Sequence, residues 1–452
     1  MKAGDTQAPA PPHKPVSIIY SWYIVAVLML AYLLSYVDRS ILSLLVGPIR
    51  ADLSLSDTQL SLLHGFAFAL FYATLGFPLG RMADNRNRKN IITGGISVWS
   101  LFTAACGLAN NFWQLFLTRM GVGVGEAALN PSAYSIISDR FPKHLLARAL
   151  STYVMGTYMG FGMAFVVGGL VVQAVTATPT MEIPVLGEVY TWQLAFFYVG
   201  FPGLLVALLV YLTVREPARK GLAAGVHDGK AVPIRDVIRF VFLNRRTFIC
   251  HLAGFSLTGI LVNGLVLWTP SFFQRTYGMP VTEAGVTYGL ILLVFGPLGI
   301  FSGGVVSDWI DRKGPAGGSF KTAAGFVALA ITPAILSPLM PTATLAFVFI
   351  AVLVFASSAP WGVAVSAIQQ ITPNEMRGQV SALYLFVVNL IGIGFGPTIV
   401  ALLTDRVFND DALLRYSMVS VGAGAAILAS FILFLGVGAF RRSAQHAATW
   451  SD

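Results

Sequence analysis

FWQLFLTRMGVGVGEAALNPSAYSIIS, running from Phe112 to Ser138, is apolar over a length that can cross a bilayer, yet Arg119 and Glu126 sit inside it. A hydrocarbon core ~30 Å thick takes about 20 residues of helix. Seven residues are close to two helical turns, so both side chains leave one helix face, about 10.5 Å apart along the axis. Isolated in hydrocarbon, each would cost at least ~2.5–3.5 kcal/mol on insertion scales. They must therefore face other helices, a partner charge or water. One reading is a structural ion pair that locks helices together. The other is a substrate or proton site, the default for ionisable groups at membrane depth.

Composition places the whole chain in lipid. Of 452 residues, 56% are hydrophobic and 11% charged, with a mean hydropathy of +0.74. Soluble proteins carry about 25% charged residues. The net charge of +9 does not indicate nucleic acid, because of where the charges fall. Of 29 Lys and Arg, Arg39 and Arg119 lie within spans and Arg50, Arg275, Arg406 and Arg415 in one set of loops; the other 23 lie in the alternate loops or at the two ends. Such asymmetry is the positive-inside rule. It predicts cytoplasmic termini and a bacterial-type inner membrane. Cys106 and Cys250 form no disulfide framework or CxxC motif, and the scattered histidines, including His64 and His251 near span starts, read as packed or interfacial residues. Residues 1–19 are expected to be a disordered tail, too polar for a signal peptide.

Twelve apolar runs are predicted, at 20–47, 57–81, 89–109, 112–138, 145–175, 191–215, 247–274, 282–307, 319–339, 343–371, 376–404 and 412–440. The polar stretch 216–246 divides them into six-helix halves, 20–215 and 247–440, with a short tail at 441–452. Within it, Ile234, Val237, Ile238 and Val241 follow helical spacing while Arg235, Asp236 and Arg239 point away, as in a helix lying on a membrane surface. An internal repeat supports the division. Gly80, Asp84, Arg88 and Lys89 after the second run match Gly304, Asp308, Arg312 and Lys313 after the eighth, 224 residues on. Arg148–Ser151 is weakly echoed by Arg377–Ser381. Parallel six-helix repeats place the substrate near the midplane between them. Gly121 and Gly125 form a small-xxx-small pair for close helix approach. Pro131 should bend the fourth run just beyond Glu126, and Gly392, Gly394, Gly396 and Pro397 should make the eleventh bendable.

The first run supplies the other buried charges, in Tyr36-Val37-Asp38-Arg39. Adjacent residues point about 100° apart, so Asp38 and Arg39 each look to a neighbouring helix. The expected arrangement puts Asp38 near Arg119, leaving Arg39 and Glu126 to the cavity or interface. An acid whose arginine partner arrives or leaves as the halves rock takes up or releases a proton, and arginine suits partner switching or bidentate capture of an anionic head. Asp38, Glu126 and Arg119 are therefore the candidate proton-coupling set, with Arg39, Glu126 and Tyr36 on the substrate side. The second half has no mid-span charge; Asn263, Trp268, Trp361 and Gln369 are its candidate cavity residues, each equally readable as interhelical packing. Asp84, Arg88, Asp308 and Arg312, with Gly80 and Gly304, read as a gate latch near helix ends, or as solvated topological charges. No metal set, nucleophile pair or haem-type histidine pair appears, so no cofactor besides the proton and no enzyme activity is expected.

At these residues the chain resembles the major facilitator superfamily, over nearly its whole length. Gly80–Lys89 is similar to that family's loop signature after the second helix, and Arg119–Gly125 to its fourth-helix signature. Within the family it looks like the Spinster branch of sphingolipid and lysolipid transporters, on Tyr36-Val-Asp38-Arg39, Asp84–Lys89 with Asn87, Trp99-Ser100 and Gly123–Ala127. Asn85 departs from that pattern, and Phe161 stands where the Gly156-xxx-Gly160 antiporter pattern has proline. The resemblance implies an amphipathic lipid substrate with a charged head and alternating access linked to protons at the positions of Asp38, Arg119 and Glu126; membrane lipids are the expected surroundings and a monomer the expected state. Small organic anions are the alternative cargo, since similar Asp-Arg and GxGEA motifs occur in symporters of that kind.

Overall fold

Helix follows helix wherever the apolar runs stand, because a backbone in lipid must satisfy its own hydrogen bonds. The structure, a computed structural model, describes residues 17–141, 143–176, 180–183, 187–217, 233–313, 317–373 and 376–448. The first half contains α1 (Ile18–Leu44), α2 (Val46–Leu53), α3 (Asp57–Ser61) and α4 (Ala67–Asn85), the last two joined by a π-helical turn at Leu62–Phe66. It continues through α5 (Arg88–Cys106), α6 (Phe112–Glu126), α7 (Leu129–Arg140), α8 (Lys143–Thr176) and α9 (Thr191–Thr213). A small antiparallel hairpin, β1 (Thr180–Ile183) and β2 (Gly187–Tyr190), fills the connection before α9.

After α10 (Ile234–Leu243), the second half comprises α11 (Arg245–Tyr277), α12 (Val281–Lys313), α13 (Gly318–Leu339), α14 (Ala343–Ile371), α15 (Arg377–Leu402) and α16 (Leu414–Ala448). Counting α1–α2, α3–α4 and α6–α7 as single rods gives twelve, six on either side of α10. Ten helical stretches among the described residues are long and apolar enough to cross a membrane. The other two rods are the third and fourth. α5 opens on Arg88 and Lys89, and the fourth rod is split, so neither of its pieces alone has the length. Apolar side chains such as Leu205, Phe301 and Phe434 face outward, as lipid demands.

Several expectations need revision in detail. The helix after the last apolar run continues to Ala448, past the tail boundary drawn at 441. Along the eleventh run α15 is continuous through its glycines, and Gly392 and Gly396 lie against Gly259 and Gly264 of α11. The break in the fourth rod does fall beyond Glu126, at Ala127–Ala128, with Pro131 in the first turn of α7 where its missing N–H matters least. α10 exposes Ile234, Ile238 and Phe242 while Val237 is buried. Residues 1–16, most of the expected tail, and 218–232, about half of the expected linker, lie outside the described residues.

Candidate functional site

The first half closes around α6, and glycine is what allows it. A Cβ on Gly125 would lie 2.4 Å from the Trp99 backbone nitrogen of α5, and one on Gly123 would lie 2.5 Å from the Phe68 carbonyl of α4. Backbones this close leave the α6 charges no route to lipid, so Arg119 and Glu126 turn inward to α1. Asp38, Arg39, Arg119 and Glu126 are all buried, none more than 6% exposed.

Arg39 and Glu126 form an ion pair through Arg39 Nη2 and Glu126 Oε2. The Arg39 guanidinium also lies 4.2 Å from the centre of the Phe68 ring, 4.8 Å from Tyr36 and 5.3 Å from Tyr72. Aromatic faces attract a cation more strongly where water is excluded. Tyr36 in turn packs on Phe161, ring centres 4.4 Å apart, and closely on Gly160. Glu126 Oε1 has no hydrogen-bond partner among the described residues. Glu126 is thus held by one oxygen and open at the other.

Arg119 does not meet the Asp38 carboxylate, as the spacing suggested. Its guanidinium donates to backbone carbonyls of α1, that of Asp38 at 3.1 Å and that of Arg39 at 3.3 Å. A planar fork can bridge successive carbonyls in this way, where a lysine would be a single point. The Asp38 carboxylate instead looks toward the Trp99 indole and Thr103 hydroxyl of α5, closing no hydrogen bond with either. A buried polar group without a partner calls for an explanation in function or strain. His64, set aside in the sequence reading, belongs here. It is 5% exposed, sits on the π-helical turn and lies within electrostatic reach of Arg119 and Arg39. π-Helical turns concentrate at functional sites, a signal invisible in the sequence.

The second-half candidates are scattered. Trp268 is fully buried and donates to the Pro397 carbonyl at 3.0 Å, bridging α11 and α15. Asn263 donates to Gly259 of its own helix at 2.9 Å. Trp361 is half-buried beside Phe255, and Gln369 is exposed. None converges with the charges of the first half.

The expected latch residues also part company. Arg88 is buried and binds Asp139, Glu216 at 2.7 Å, and the Ser135 hydroxyl at 2.7 Å, all in the first half or at the start of the stretch that follows it. Its repeat counterpart Arg312 is exposed, as is Asp308. Gly80 lies 3.7 Å from Pro131 as a Cβ would be placed, Gly304 has open space, and the side chain of Asp84 lies outside the described residues. The halves are instead tied at the opposite end, away from both termini. Arg275 of α11 grips Asp57 of α3 with two bonds, at 2.5 and 2.9 Å. Arg50 of α2 reaches Asp57 at 3.3 Å and pairs with Asp411 from the second half. The Thr58 backbone and hydroxyl both donate to Asp405 at 2.7 Å.

Comparison with known proteins agrees with this architecture. The family model of the Major Facilitator Superfamily matches residues 28–397. The chain is 30% identical to an MFS-type efflux pump of Mycolicibacterium smegmatis, over 93% of this chain and 94% of that protein. It is 26% identical to Protein spinster homolog 1 of Xenopus tropicalis (95% of this chain, 81% of the relative). It is 27% identical to a probable L-galactonate transporter of Escherichia coli (90% and 87%). Among solved structures, a bacterial homologue of the human lysosomal transporter Spinster, inward-facing and unoccupied, superposes with a TM-score of 0.77 at 28% identity, covering 95% of this chain and 98% of that one.

Proposed function

This chain belongs to the Major Facilitator Superfamily and is a multi-pass secondary transporter, and we propose that it couples protons to the movement of an amphipathic molecule with an anionic head. The observation that carries the reading is the charge set of the first half: two guanidinium groups and two carboxyls, buried together, with the Asp38 carboxylate closing no hydrogen bond or ion pair among the described residues. With all four ionised the set is neutral. When Asp38 takes a proton, one positive charge is left uncompensated in a place where charge is costly. An anionic headgroup relieves it. Proton and anion therefore favour each other's binding, and by linkage the coupling is reciprocal.

Arg119 holds the α1 backbone, so its part is to fix Asp38 and Arg39 in position. Arg39 and Glu126 form the exchangeable pair: an incoming phosphate or carboxylate competes for the same guanidinium, bidentately. The apolar second half suits the tail of a lysolipid or sphingolipid-like substrate. The cross-half contacts of Asp57, Asp411 and Asp405 lie on the face away from the termini, which the charge distribution assigns to the outside; this reads as the closed side of the alternating-access cycle, with both termini cytoplasmic.

The test is substrate-dependent proton flux in sealed proteoliposomes, for the unaltered chain and for Asp38→Asn. Flux driven by a lysophospholipid, lost in Asp38→Asn and resistant to competition by hexonates, supports the reading. Flux unchanged in Asp38→Asn sinks the proton assignment. A second cargo, a small sugar acid, is favoured by the likeness to the L-galactonate transporter; competition by hexonates but not by lysolipids would establish that one instead.

A further inference from the structure

Away from the transport site, the corner where α10, α11 and α16 meet combines three features. First, it is rigidly built. The Ser443 hydroxyl donates to Asn244 at 3.0 Å and lies 2.9 Å from the Thr247 hydroxyl, while Phe240 stacks edge-on against Phe248, ring centres 5.9 Å apart. Asn244 is the turn between α10 and α11, so the end of α16 is fastened to that turn. Second, the corner is densely basic. Arg235 and Arg239 on α10, Arg245 and Arg246 opening α11, and Arg442 on α16 are exposed, and Arg441 is half-buried. None of the six has an ion-pair partner among the described residues, and Arg441 Nε is a buried donor with no acceptor. Third, apolar side chains emerge beside these arginines. Ile234, Ile238 and Phe242 are 57%, 62% and 64% exposed at successive four-residue steps of one stripe, with Ile249 at 61% on α11.

Exposed apolar groups in one stripe, flanked by unpaired arginines on a short helix at the end of membrane spans, match the boundary between acyl chains and headgroups. Clusters of four to eight basic residues at that level attract anionic lipid. We infer that this corner is a binding site for an anionic phospholipid of the leaflet on the terminus side, its phosphate held between the α10–α11 arginines and Arg441 or Arg442, its chains against Ile238 and Phe242. Charge complementarity selects the headgroup, and the apolar stripe selects a lipid over a free phosphate. Because α10 opens directly into α11 and α11 donates Arg275 to the lock on the far face, lipid bound here grips an element that moves when the halves rock. The inference stands apart from the identity of the transported molecule.

The experiment titrates the purified full-length protein, in neutral detergent, with phosphatidylglycerol and in parallel with phosphatidylcholine. Native mass spectrometry counts retained lipid. Arg245→Gln combined with Arg442→Gln is compared with Arg312→Gln combined with Lys313→Gln, which removes the same charge from another loop on that face. The expected result is preferential retention of phosphatidylglycerol, weakened at least five-fold in the first double variant and unchanged in the second. Ile238→Ser, which keeps every charge, should lower retention about two-fold. Equal losses in both doubles would reduce the effect to the general basic field of that face and overturn the site. No loss in the first double, with its unfolding midpoint intact, would also overturn it, leaving the corner to the linker or to another protein.

Discussion

Arg39 on α1 is ion-paired to Glu126 at the last position of α6, while Arg119, two turns earlier on the same helix, spends its guanidinium on the α1 backbone. The two arginines thus have different work. On the proposed reading, Arg39 is the exchangeable one and Arg119 the fixed one. Neutralising a single member of a buried pair strands the other, typically at ~3–5 kcal/mol. Arg39→Gln and Glu126→Gln should each lower the unfolding midpoint, and the double variant should lose clearly less than their sum, with a coupling of about 0.5–3 kcal/mol. A purely structural pair would let the double variant keep its transport. The expected outcome is stability partly regained and transport lost in all three, read by thermal unfolding and by flux in parallel.

The lock at the face away from the termini makes a conformational prediction. Asp57 is buried and takes hydrogen bonds from Arg50 and Arg275, which belong to different halves. Hydrogen bonds to charged groups are worth about 1.5–3 kcal/mol, and the Arg275–Asp57 contact, which alone of the two crosses between the halves, is lost if that face opens. Asp57→Asn should therefore shift the equilibrium toward the open form by roughly ten- to hundred-fold. Spin labels at the exposed positions Ala51 and Asn409, in a background with Cys106 and Cys250 replaced, would report it as a new population at longer distance. An unchanged distance distribution would mean that apolar packing, such as Gly65 against the Ile393 carbonyl, holds the face shut unaided.

Arg88 and Arg312 occupy matching places in the repeat but not matching environments. Arg88 is fully buried between Asp139 and Glu216, so Arg88→Ala leaves two carboxylates facing each other and should cost roughly 3 kcal/mol. Arg312→Ala removes an exposed charge and should stay within about 0.5 kcal/mol. Unfolding in a denaturing detergent series separates the two. Similar losses would fit both arms acting as equivalent latches.

That contrast also shows what could be read in the chain beforehand. The twelve rods, their division at α10 and the burial of Asp38, Arg39, Arg119 and Glu126 follow from hydropathy and from the cost of charge in lipid, both properties of short segments. Which carboxylate meets which arginine does not. Arg119 and Asp38 are near neighbours in space, yet the guanidinium chose carbonyl oxygens, because the partner depends on how far α6 rotates once its glycines let it press on α4 and α5. The lock escaped for a similar reason. Arg50, Asp57, Arg275, Asp405 and Asp411 lie in loops and helix ends far apart in sequence, with no repeat to link them. His64 was legible only as a lone histidine; the π-helical turn that carries it is a backbone event with no residue signature.

Adjacent glycines on α5 offer the sharpest check on the packing that holds the site. A Cβ on Gly95 would lie 2.7 Å from both the Ala128 Cβ and the Gly125 carbonyl, whereas one on Gly94 meets nothing within 4 Å. Real Cβ atoms do not approach a carbonyl oxygen so closely, so Gly95→Ala must push α5 from the α6–α7 break. Overpacking of that kind costs about 1–3 kcal/mol, and the displacement falls directly behind Trp99 and Thr103, the groups facing Asp38. Gly94→Ala keeps the backbone in place and reduces the freedom of the unfolded chain, so it should be neutral or stabilise by up to ~1 kcal/mol. Thermal unfolding of the two variants, with proton flux alongside, should therefore diverge in sign. Equal behaviour would mean that α5 and α6 are not pressed together as closely as this site requires, and with it would go the reason that Arg119 and Glu126 point at α1.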